Sequence, residues 1–512
     1  MNESSIVLNG RSLSIDDVYR VAKDRVKVEI SSESLELLET TRKLVFELSN
    51  SEEEIYGLTT GVGANKDNKI LPEYFSTFNR NLILAHCVGI KPEASEEVVR
   101  AAMVVRLNTL LLGATGIQPK IAMMYKDFLN YEIHPVMPER GSVGTADVTT
   151  LSYIGLAMMG EGEVHYKGSR MKADKALELT GLEKIVFGPK DGLSIVSSNA
   201  LSGGMGALVF KEIKDLLDMA DVVYAMSLEA ININTMFINP KSNELRPLSG
   251  QIYSNNKILD YLDGSYIWDN DNRSLHGSMV FKAGWAIHGS VRDALEYTEK
   301  YLSVQLNSSD DCPYVLLDDK DIISTANFIV MSLAVGFEML GVALSHLSKT
   351  ICNRVLKLSQ PKYTGLPRFL RPRDDVIAFS TMQKSFTSLD TEIRHMANPA
   401  TLDYFATSNE TEDHGSNTPY VIRKINKIVD DLRYIIGIEM MHAAQGIDLR
   451  KGMKLGKGTK IAYETVRKEI TFLDEDRDLS VDIEKAYNII KSGILLKHIK
   501  EVKYGGKNDR HF

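Results

Sequence analysis

The feature that most constrains this fold is a series of long segments in which apolar residues recur every three or four positions. They occupy residues 208–228, 278–306, 322–356, 376–393 and 420–445. Few prolines interrupt them, and the period matches that of an α-helix. Since helices of this length and number bury their apolar faces against one another, the sequence predicts a mainly α protein built on a long central helix bundle.

Shorter elements precede the bundle. Residues 6–13 surround an Asn-Gly pair, which predicts a small β-hairpin, and residues 163–171 predict a second one. Ser14 and Asp17 match a capping box that starts a helix, and residues 37–48 have helical spacing. We therefore expect a mostly helical N-terminal domain over residues 1–195, followed by the central bundle and C-terminal helices over residues 196–512.

Composition and charge exclude several classes of protein. The formal net charge is -8 and no dense Lys/Arg block occurs, which argues against a nucleic-acid or anionic-membrane surface. The N-terminus has no basic segment followed by an apolar one, as a secretory signal requires. Residues 328–347 are apolar enough to suggest a membrane span, but Glu338 and His346 interrupt them, so we expect a buried bundle helix.

The cysteines indicate a reducing compartment. Cys87, Cys312 and Cys352 are far apart and form no CxxC pair, so free thiols and a cytoplasmic location are expected. The histidines have no metal-binding spacing, and we predict no metal site. Glycine-rich residues 57–63 lack the strand and helix of a dinucleotide site, and residues 451–460 lack the spacing of a phosphate loop.

Seven separated segments carry the motifs of one enzyme family. In order they are Tyr-Gly-Leu-Thr-Thr-Gly-Val-Gly at 56–63, Asn-Leu-Ile-Leu-Ala-His at 81–86, Pro-Glu-Arg-Gly-Ser-Val-Gly at 138–144, Asn-Phe at 327–328, Glu-Asp-His at 412–414, Ala-Gln-Gly-Ile-Asp-Leu-Arg at 444–450 and Asp-Arg at 476–477. Together they resemble the histidine/phenylalanine ammonia-lyase superfamily. The resemblance implies a fumarase/aspartase-type helix bundle with small N-terminal hairpins, and a carbon–nitrogen lyase acting on a small molecule.

The resemblance also implies roles and an assembly. Tyr56 matches the family's catalytic base, and His86 matches a histidine that lines the active site. Asn327 and Glu412 match further site positions. Family members are tetramers whose active sites are built from three chains, so a homotetramer is expected here, with Tyr56, Asn327 and Lys384 supplied by different subunits.

The segment that makes the family's cofactor departs from its pattern. The family cyclises Ala-Ser-Gly into a methylidene-imidazolone: the serine loses water to leave an alkene, and the glycine nitrogen attacks within a tight turn. This chain has Thr145, Ala146 and Asp147 at that place, and the segment is one residue shorter. Since both the serine and the glycine are missing, we expect an uncyclised backbone and no cofactor.

A lyase without this electrophile needs a substrate whose nitrogen leaves unaided. A quaternary ammonium has no lone pair with which to attack an electrophile, and it departs as a neutral amine. Because the family acts on aromatic amino acids, the expected substrate is a trimethylammonium betaine of histidine or of a ring-modified histidine.

Further departures suggest how such a substrate is held. His276 replaces the family's carboxylate-binding arginine and Arg273 replaces a second tyrosine, so both are expected to bind the carboxylate. Lys384, beside Gln383, stands where the family has an uncharged residue, and as a desolvated ammonium it would donate to the ring or its sulfur. Glu412 would hold an imidazole N–H or neutralise Lys384.

The remaining expected substrate-binding residues are His86, Asn199, Asn327 and Gln383. Tyr56 would remove the β-proton.

Simpler interpretations remain open for these residues. Lys384 would then extend from a helix surface, His86 would be structural, and Glu412 would pair with a basic neighbour. Alternative functions also remain: a lyase for another aromatic betaine or amino acid, a lyase that obtains the electrophile by another route, or an inactive relative that only binds an amino acid. Retention of Tyr56 in its glycine loop argues against the last, because a binding protein needs no base.

Overall fold

The computed structural model describes residues 5–269 and 277–504, and these are mainly helical. This confirms the predicted mainly α class. The helices of the described residues are α1 (Ile15–Lys23), α2 (Ser32–Ser49), α3 (Phe75–His86), α4 (Glu96–Leu110), α5 (Pro119–Tyr131), α6 (Val148–Met158), α7 (Ala173–Thr180), α8 (Asp191–Val196), α9 (Ala200–Ile231), α10 (Lys241–Leu245), α11 (Ser249–Tyr261), α12 (Met279–Lys282), α13 (Gly284–Leu306), α14 (Met331–Leu358), α15 (Pro361–Thr364), α16 (Met382–Met396), α17 (Thr418–Leu449), α18 (Lys457–Glu469), α19 (Leu479–Ser492) and α20 (Ile494–Tyr504).

Each of the long periodic segments contains a helix, but three of those helices begin later than the pattern does. Residues 278–306 are divided between α12 and α13, and α16 starts six residues after position 376. The segment from residue 322 first forms the end of a strand, which pairs with a neighbour, and α14 starts only at Met331. The apolar pattern extends beyond the ends of these helices because short strands and turns bury the same residue types as helices. The pattern alone therefore does not show where each helix begins.

The strands are β1 (Ile6–Leu8), β2 (Val28–Ile30), β3 (Ile90–Glu93), β4 (Ile133–Pro135), β5 (Pro138–Arg140), β6 (Glu163–Tyr166), β7 (Ser169–Lys172), β8 (Tyr314–Leu316) and β9 (Asp321–Ile323). Within the described residues they form small sheets of two or three strands. The hairpin predicted near residues 163–171 is confirmed, because β6 and β7 pair antiparallel with Glu163 opposite Lys172.

The hairpin predicted at residues 6–13 is wrong. Strand β1 pairs in parallel with β2, and α1 connects the two. After the Asn-Gly turn, side chains from distant elements take the backbone amides that a second hairpin strand would have used. The Gly10 N–H donates to Asn108 (3.0 Å) and the Leu13 N–H donates to Asn307 (2.8 Å).

The predicted start of α1 is confirmed. The Ser14 hydroxyl accepts from the Asp17 N–H (3.0 Å), and the Asp17 carboxylate accepts from the Ser14 N–H (3.3 Å), which completes a capping box. Asp16 and Asp17 also place negative charge in the first helical turn, where the helix dipole favours it.

The chain divides into two compact units that interleave along the sequence. The first, called here the Tyr56 unit, comprises Met1–Lys211, Thr298–Phe337 and Pro399–Arg423. The second, the Lys384 unit, comprises Glu212–Tyr297, Glu338–Asn398 and Lys424–Phe512. Each unit is defined by its internal packing and combines three separate stretches of the chain. The units therefore do not test a single division at residue 195, which stays a prediction.

Helix α4 lies at the centre of the Tyr56 unit. Every residue from Val99 to Leu110 is buried, including two arginines. The Arg100 guanidinium donates to the carbonyls of Val21 (2.9 Å) and Leu129 (2.8 Å), which satisfies buried donors without a carboxylate.

In the Lys384 unit, a buried ion pair joins three long helices. The Arg354 guanidinium on α14 donates to both carboxylate oxygens of Glu439 on α17, at 2.5 and 2.8 Å. The Ser227 hydroxyl on α9 donates to the same carboxylate at 2.9 Å. Because Arg354 and Glu439 are both fully desolvated, each depends on the other for its charge balance.

Two helical stretches are long and apolar enough to cross a membrane by length and composition alone, Asp191–Ile231 and Met331–Leu358. The most apolar window of the first is 100% buried within the protein, and that of the second is 56% buried. Core helices of a large bundle have this character.

We expect Arg354→Met to lower the free energy of unfolding by about 3–5 kcal/mol, because it leaves the Glu439 charge buried and unpaired. Chemical denaturation at fixed protein concentration measures this. Lys457→Met is the matched control: it breaks the exposed pair with Asp263 and should cause no measurable change. Equal effects of the two substitutions would contradict the role given to the buried pair.

Candidate active site

Tyr56 lies in a loop that its neighbours hold rigidly. The Ile55 carbonyl accepts from the N–H groups of Leu58, Thr59 and Thr60 at 3.0–3.2 Å. The Thr59 hydroxyl accepts from the Ile55 N–H (2.8 Å) and donates to the Glu53 carbonyl (2.7 Å). These bonds give a structural reason for a threonine three residues after Tyr56.

Two glycines of this loop have conformations that other residues rarely adopt. Gly57 and Gly63 have φ of +70° and +54°, and a Cβ on Gly57 would lie 2.5 Å from the Leu193 side chain. The turn at Gly63 returns its N–H to the Tyr56 hydroxyl oxygen, which accepts it at 3.0 Å. The phenol oxygen therefore has a backbone donor positioned to stabilise its anion.

The surroundings of Tyr56 disfavour the ionised, phenolate form of its side chain. Burial raises the pKa of Tyr56 above its ordinary value, the hydrogen bond from Gly63 opposes the increase, and the nearby Cys312 thiol and Glu412 carboxylate add to it. Tyr56 is thus a phenol at neutral pH in this chain, and it must lose its proton before it can act as a base.

Glu412 is held close to the Tyr56 loop by a tight turn. The backbone groups of Thr407 and Glu412 pair at 2.9 and 3.2 Å, and the Glu412 carboxylate accepts from the hydroxyls of Thr407 (3.0 Å) and Ser408 (2.9 Å). The Ser408 hydroxyl lies 3.8 Å from the position that a Cβ on Gly63 would take. Within residues 5–269 and 277–504, Glu412 forms no ion pair with a Lys, Arg or His side chain.

Residues 145–147, at the cofactor position, lie in a turn. Thr145 pairs with Ile329 in a β-bridge, Ala146 has φ +67°, and the Asp147 N–H donates to the Ser198 carbonyl at 2.7 Å. The turn leads directly into α6, which begins at Val148.

The Asp147 side chain points into the interior and is fully buried. Its carboxylate accepts from the Ser142 hydroxyl (2.7 Å), the Ser202 N–H (2.9 Å) and the Ser202 hydroxyl (3.3 Å). Ser202 lies in the first turn of α9, so Asp147 places a negative charge at the N-terminus of this helix. Burial raises the pKa of Asp147 to about 6, although the bonds from Ser142 and Ser202 oppose the increase.

The residues present do not fit the family's methylidene-imidazolone. Ala146 has no hydroxyl to lose. Cyclisation would require the backbone nitrogen of Asp147 to attack the Thr145 carbonyl carbon. That N–H instead donates to the Ser198 carbonyl, and the Asp147 side chain is packed in the interior.

Asn199 fixes the segment that contains Asn327. Its backbone N–H donates to Asp310 (2.6 Å), and its side-chain amide donates to the Phe328 carbonyl (2.8 Å). Asn199 is fully buried, whereas the adjacent Asn327 is exposed and makes only a long bond to the Ser309 carbonyl (3.5 Å). Of the two, Asn327 is the one available to a ligand, and the binding role of each stays a prediction.

His86 ends α3 and is half-buried. Its Nδ1 lies 2.7 Å from the Leu82 carbonyl, so Nδ1 carries the hydrogen and Nε2 is left as an acceptor. The Ser152 hydroxyl donates to the His86 carbonyl (3.1 Å), which ties this end of α3 to α6.

Gln383 and Lys384 lie in the Lys384 unit, in the first turn of α16. Gln383 is partly buried, and Lys384 is exposed in the single chain. Its expected role as a desolvated ammonium stays a prediction. Arg273 and His276 lie outside the described residues.

Sequence reasoning missed several neighbours of the site. Cys312 interacts electrostatically with Tyr56, and its thiol accepts from the Thr325 N–H at 3.4 Å. Behind it, Asp311 pairs with Lys190 at 2.6 Å. The sequence feature that could have indicated these residues is the adjacent acidic pair at positions 310 and 311, which lies in an otherwise uncharged stretch. Among the described residues, no group of three or more His, Cys, Asp or Glu side chains is placed to hold a metal ion.

Comparison with known proteins identifies the family. The family model described as "Aromatic amino acid lyase" matches residues 13–468. The chain belongs to this family. It is a carbon–nitrogen lyase.

Curated members of the aromatic amino acid lyase family align over nearly the whole chain. Histidine ammonia-lyase of Treponema denticola is 34% identical over 495 residues, covering 96% of this chain and 98% of the relative. That of Alkaliphilus oremlandii is 32% identical over 499 residues, covering 97% and 98%.

Solved structures of the family superpose closely. The crystal structure of the ergothioneine-degrading enzyme ergothionase from Treponema denticola, in complex with desmethyl-ergothioneine sulfonic acid, has a TM-score of 0.94 and 44% identity, covering 96% of this chain and 100% of that one. Histidine ammonia-lyase from Trypanosoma cruzi has a TM-score of 0.89 and 26% identity, covering 97% and 95%. The ammonia-lyase fold expected from the sequence is confirmed.

We expect the purified protein to have the mass of its unmodified sequence, because residues 145–147 cannot lose water to form the electrophile. Intact-mass spectrometry measures this. A variant carrying Thr145→Ala, Ala146→Ser and Asp147→Gly restores the family tripeptide and is the comparison. A mass lower by two waters in the unmodified protein would contradict the expectation.

Proposed function

We propose that this lyase eliminates trimethylamine from a histidine-derived trimethylammonium betaine, converting ergothioneine to thiourocanate without a methylidene-imidazolone. The observation that carries the proposal is Asp147. Its buried, hydrogen-bonded side chain stands where the family's electrophile requires glycine. The loop of Tyr56, in contrast, keeps the backbone donor that a catalytic tyrosinate needs.

The comparisons support this substrate over histidine. Identity to the ergothionase structure is 44%, against 26% for the histidine ammonia-lyase structure from Trypanosoma cruzi and 31–34% for the curated histidine ammonia-lyases of Alkaliphilus oremlandii, Treponema denticola and Streptococcus pyogenes. The histidine ammonia-lyase names favour a second candidate, release of ammonia from histidine. That reaction expels a poor leaving group, and residues 145–147 offer nothing to activate it.

The proposed reaction is a β-elimination in which charge balances without an electrophile. The Tyr56 oxygen takes the β-proton, and the electrons of the Cβ–H bond form the new Cα–Cβ double bond. The Cα–N bond breaks with its electron pair moving to nitrogen, so the cationic group leaves as neutral trimethylamine. The Gly63 N–H stabilises the tyrosinate that starts the step.

The β-proton is acidic only if the ring accepts negative charge, which gives Lys384 and Glu412 their proposed roles. Lys384 would donate to the ring or its sulfur, and Glu412 would hold an imidazole N–H. The hydroxyls of Thr407 and Ser408 orient the Glu412 carboxylate before substrate binds. Arg273 and His276 are proposed to bind the carboxylate.

His86, Asn327 and Gln383 are proposed to complete the pocket. The assembly is proposed to be a cytoplasmic homotetramer with active sites shared between chains. The exposure of Lys384 in the single chain supports this, because an ammonium surrounded by water polarises a substrate poorly. Membrane and nucleic-acid partners are not proposed.

We expect the protein to release trimethylamine from ergothioneine, with a conjugated acrylate chromophore appearing at the same rate. Tyr56→Phe and Lys384→Met should each lower kcat about a hundredfold or more, as loss of a base or a charge-stabilising group does. Tyr56→Phe keeps the ring and should leave substrate affinity nearly unchanged. If Lys384 acts on the sulfur, its loss should affect the thione more than the plain imidazole betaine.

Histidine is the control substrate for the second candidate. Ammonia release from histidine at a rate comparable to trimethylamine release from ergothioneine would reject the betaine proposal. Near-normal turnover of ergothioneine by Tyr56→Phe would remove the base from the mechanism while leaving the substrate assignment in place.

We expect kcat/KM to rise with pH. The pKa of Tyr56 is raised above its ordinary value, which is about 10, so the reactive tyrosinate is the minor form throughout the neutral range. Activity should increase by about tenfold per pH unit from pH 7 to 9, since each unit increases the tyrosinate fraction in proportion. A steady-state pH profile measures this, and a flat profile over that range would contradict it.

A further inference from the structure

The backbone that leads into α16 is unusual. Phe369, Leu370 and Ala378 all have positive φ, between +53° and +58°, although none is a glycine. Such conformations are disfavoured by about 1 kcal/mol or more and persist only where other contacts impose them. Lys384 follows Ala378 by six residues, and α16 begins between them at Met382.

Asp476 supplies the most direct of these contacts. One carboxylate oxygen accepts from the Ile377 N–H and the other from the Ala378 N–H, both at 2.8 Å. Two charge-assisted bonds to consecutive amides define both the position and the orientation of this peptide. Asp476 and Arg477 match the last of the family motifs, but the proposed reaction gives them no role.

The segment around Asp476 is itself fixed. The Arg477 guanidinium donates to Asp482 at 2.8–2.9 Å and to the carbonyls of Thr471 (2.9 Å) and Phe472 (3.1 Å). The carboxylate of Asp476 is therefore presented from a rigid turn.

Gln445, from another family motif, joins this turn to the start of the irregular backbone. Its side-chain amide donates to the carbonyls of Leu473 (3.0 Å) and Leu370 (3.4 Å), and its carbonyl accepts from the Leu473 N–H (3.1 Å).

Packing contacts connect residues 377–379 with the first turn of α16. The Phe379 ring is buried against His442, with the ring centroids 4.5 Å apart. Met382 and Phe386 are also buried, and the Lys384 N–H donates to the Thr381 carbonyl at 3.1 Å. These contacts of Phe379, Met382 and Phe386 link residues 377–379 to the first turn of α16.

We propose that Asp476 is a positioning residue for Lys384: its carboxylate holds the Ile377–Ala378 backbone and thereby sets the place of the first turn of α16. The inference rests on the proposed function for the consequence in catalysis. Its structural part, the control of α16 by Asp476, can be tested without turnover.

The catalytic test is a double-mutant cycle. Asp476→Asn keeps the shape but places an NH2 group against one of the two amides, and it should lower kcat for trimethylamine release about tenfold. In a Lys384→Met background, the same substitution should change kcat less than twofold. Asp474→Asn is the matched control, because Asp474 lies in the same turn, is exposed, and accepts from the Arg373 guanidinium through its backbone carbonyl (3.0 Å), which the substitution leaves in place. The kcat of this variant should stay within twofold of the unmodified protein.

The structural test is amide hydrogen exchange of the full-length protein. Asp476→Asn should speed exchange at residues 377–378 and in the first turn of α16 about tenfold, while α17 and α19 keep their rates; Asp474→Asn should change neither. Exchange that rises throughout the chain, or that stays unchanged at residues 377–384, would overturn the inference. An equal loss of kcat in both backgrounds would overturn it too. If the unmodified protein releases no trimethylamine, the proposed function fails, and exchange alone decides the role of Asp476.

Discussion

The N-terminus of α9 is the point on which the candidate site depends. A helix of 32 residues leaves its first amides unpaired and has a partial positive charge at this end. Two buried carboxylates meet that charge, Asp310 at the Asn199 N–H and Asp147 at the Ser202 N–H. Through them, the turn at the cofactor position and the segment leading to Cys312 are joined to the same helix end.

At the position where the family's tripeptide has glycine, Asp147 is integrated into the surrounding structure. The glycine of the ordinary tripeptide is there for its nitrogen and its conformational freedom. Here the same position contributes hydrogen bonds with Ser142 and Ser202, which compensate for burying a carboxylate. Asp147 thus caps the N-terminus of α9, and under the proposed function the substrate itself supplies the good leaving group.

Much of the fold could be predicted from the sequence, because the period at which apolar residues recur indicates which face of a helix or strand is buried. The long helices, the capping box at Ser14 and the hairpin near residue 163 all depend on patterns within one segment. The hairpin near residue 6 failed because Asn108 and Asn307, about a hundred and three hundred positions away, take the amides that follow its turn. A local sequence pattern contains no information about a side chain far away in the sequence that accepts a hydrogen bond from the same backbone N–H.

The residue types alone determined that Thr145, Ala146 and Asp147 cannot form the family's electrophile, because the chemistry needs a serine hydroxyl and an unhindered glycine nitrogen. They also determined that a tyrosine follows Ile55 in a glycine loop. Only the tertiary structure decided that Asp147 is turned inward to cap α9, that Glu412 and Cys312 lie close enough to affect the Tyr56 pKa, and that Asp476 holds the backbone before Lys384. These depend on groups 55 to 356 positions apart in the chain, and only folding sets the distances between them.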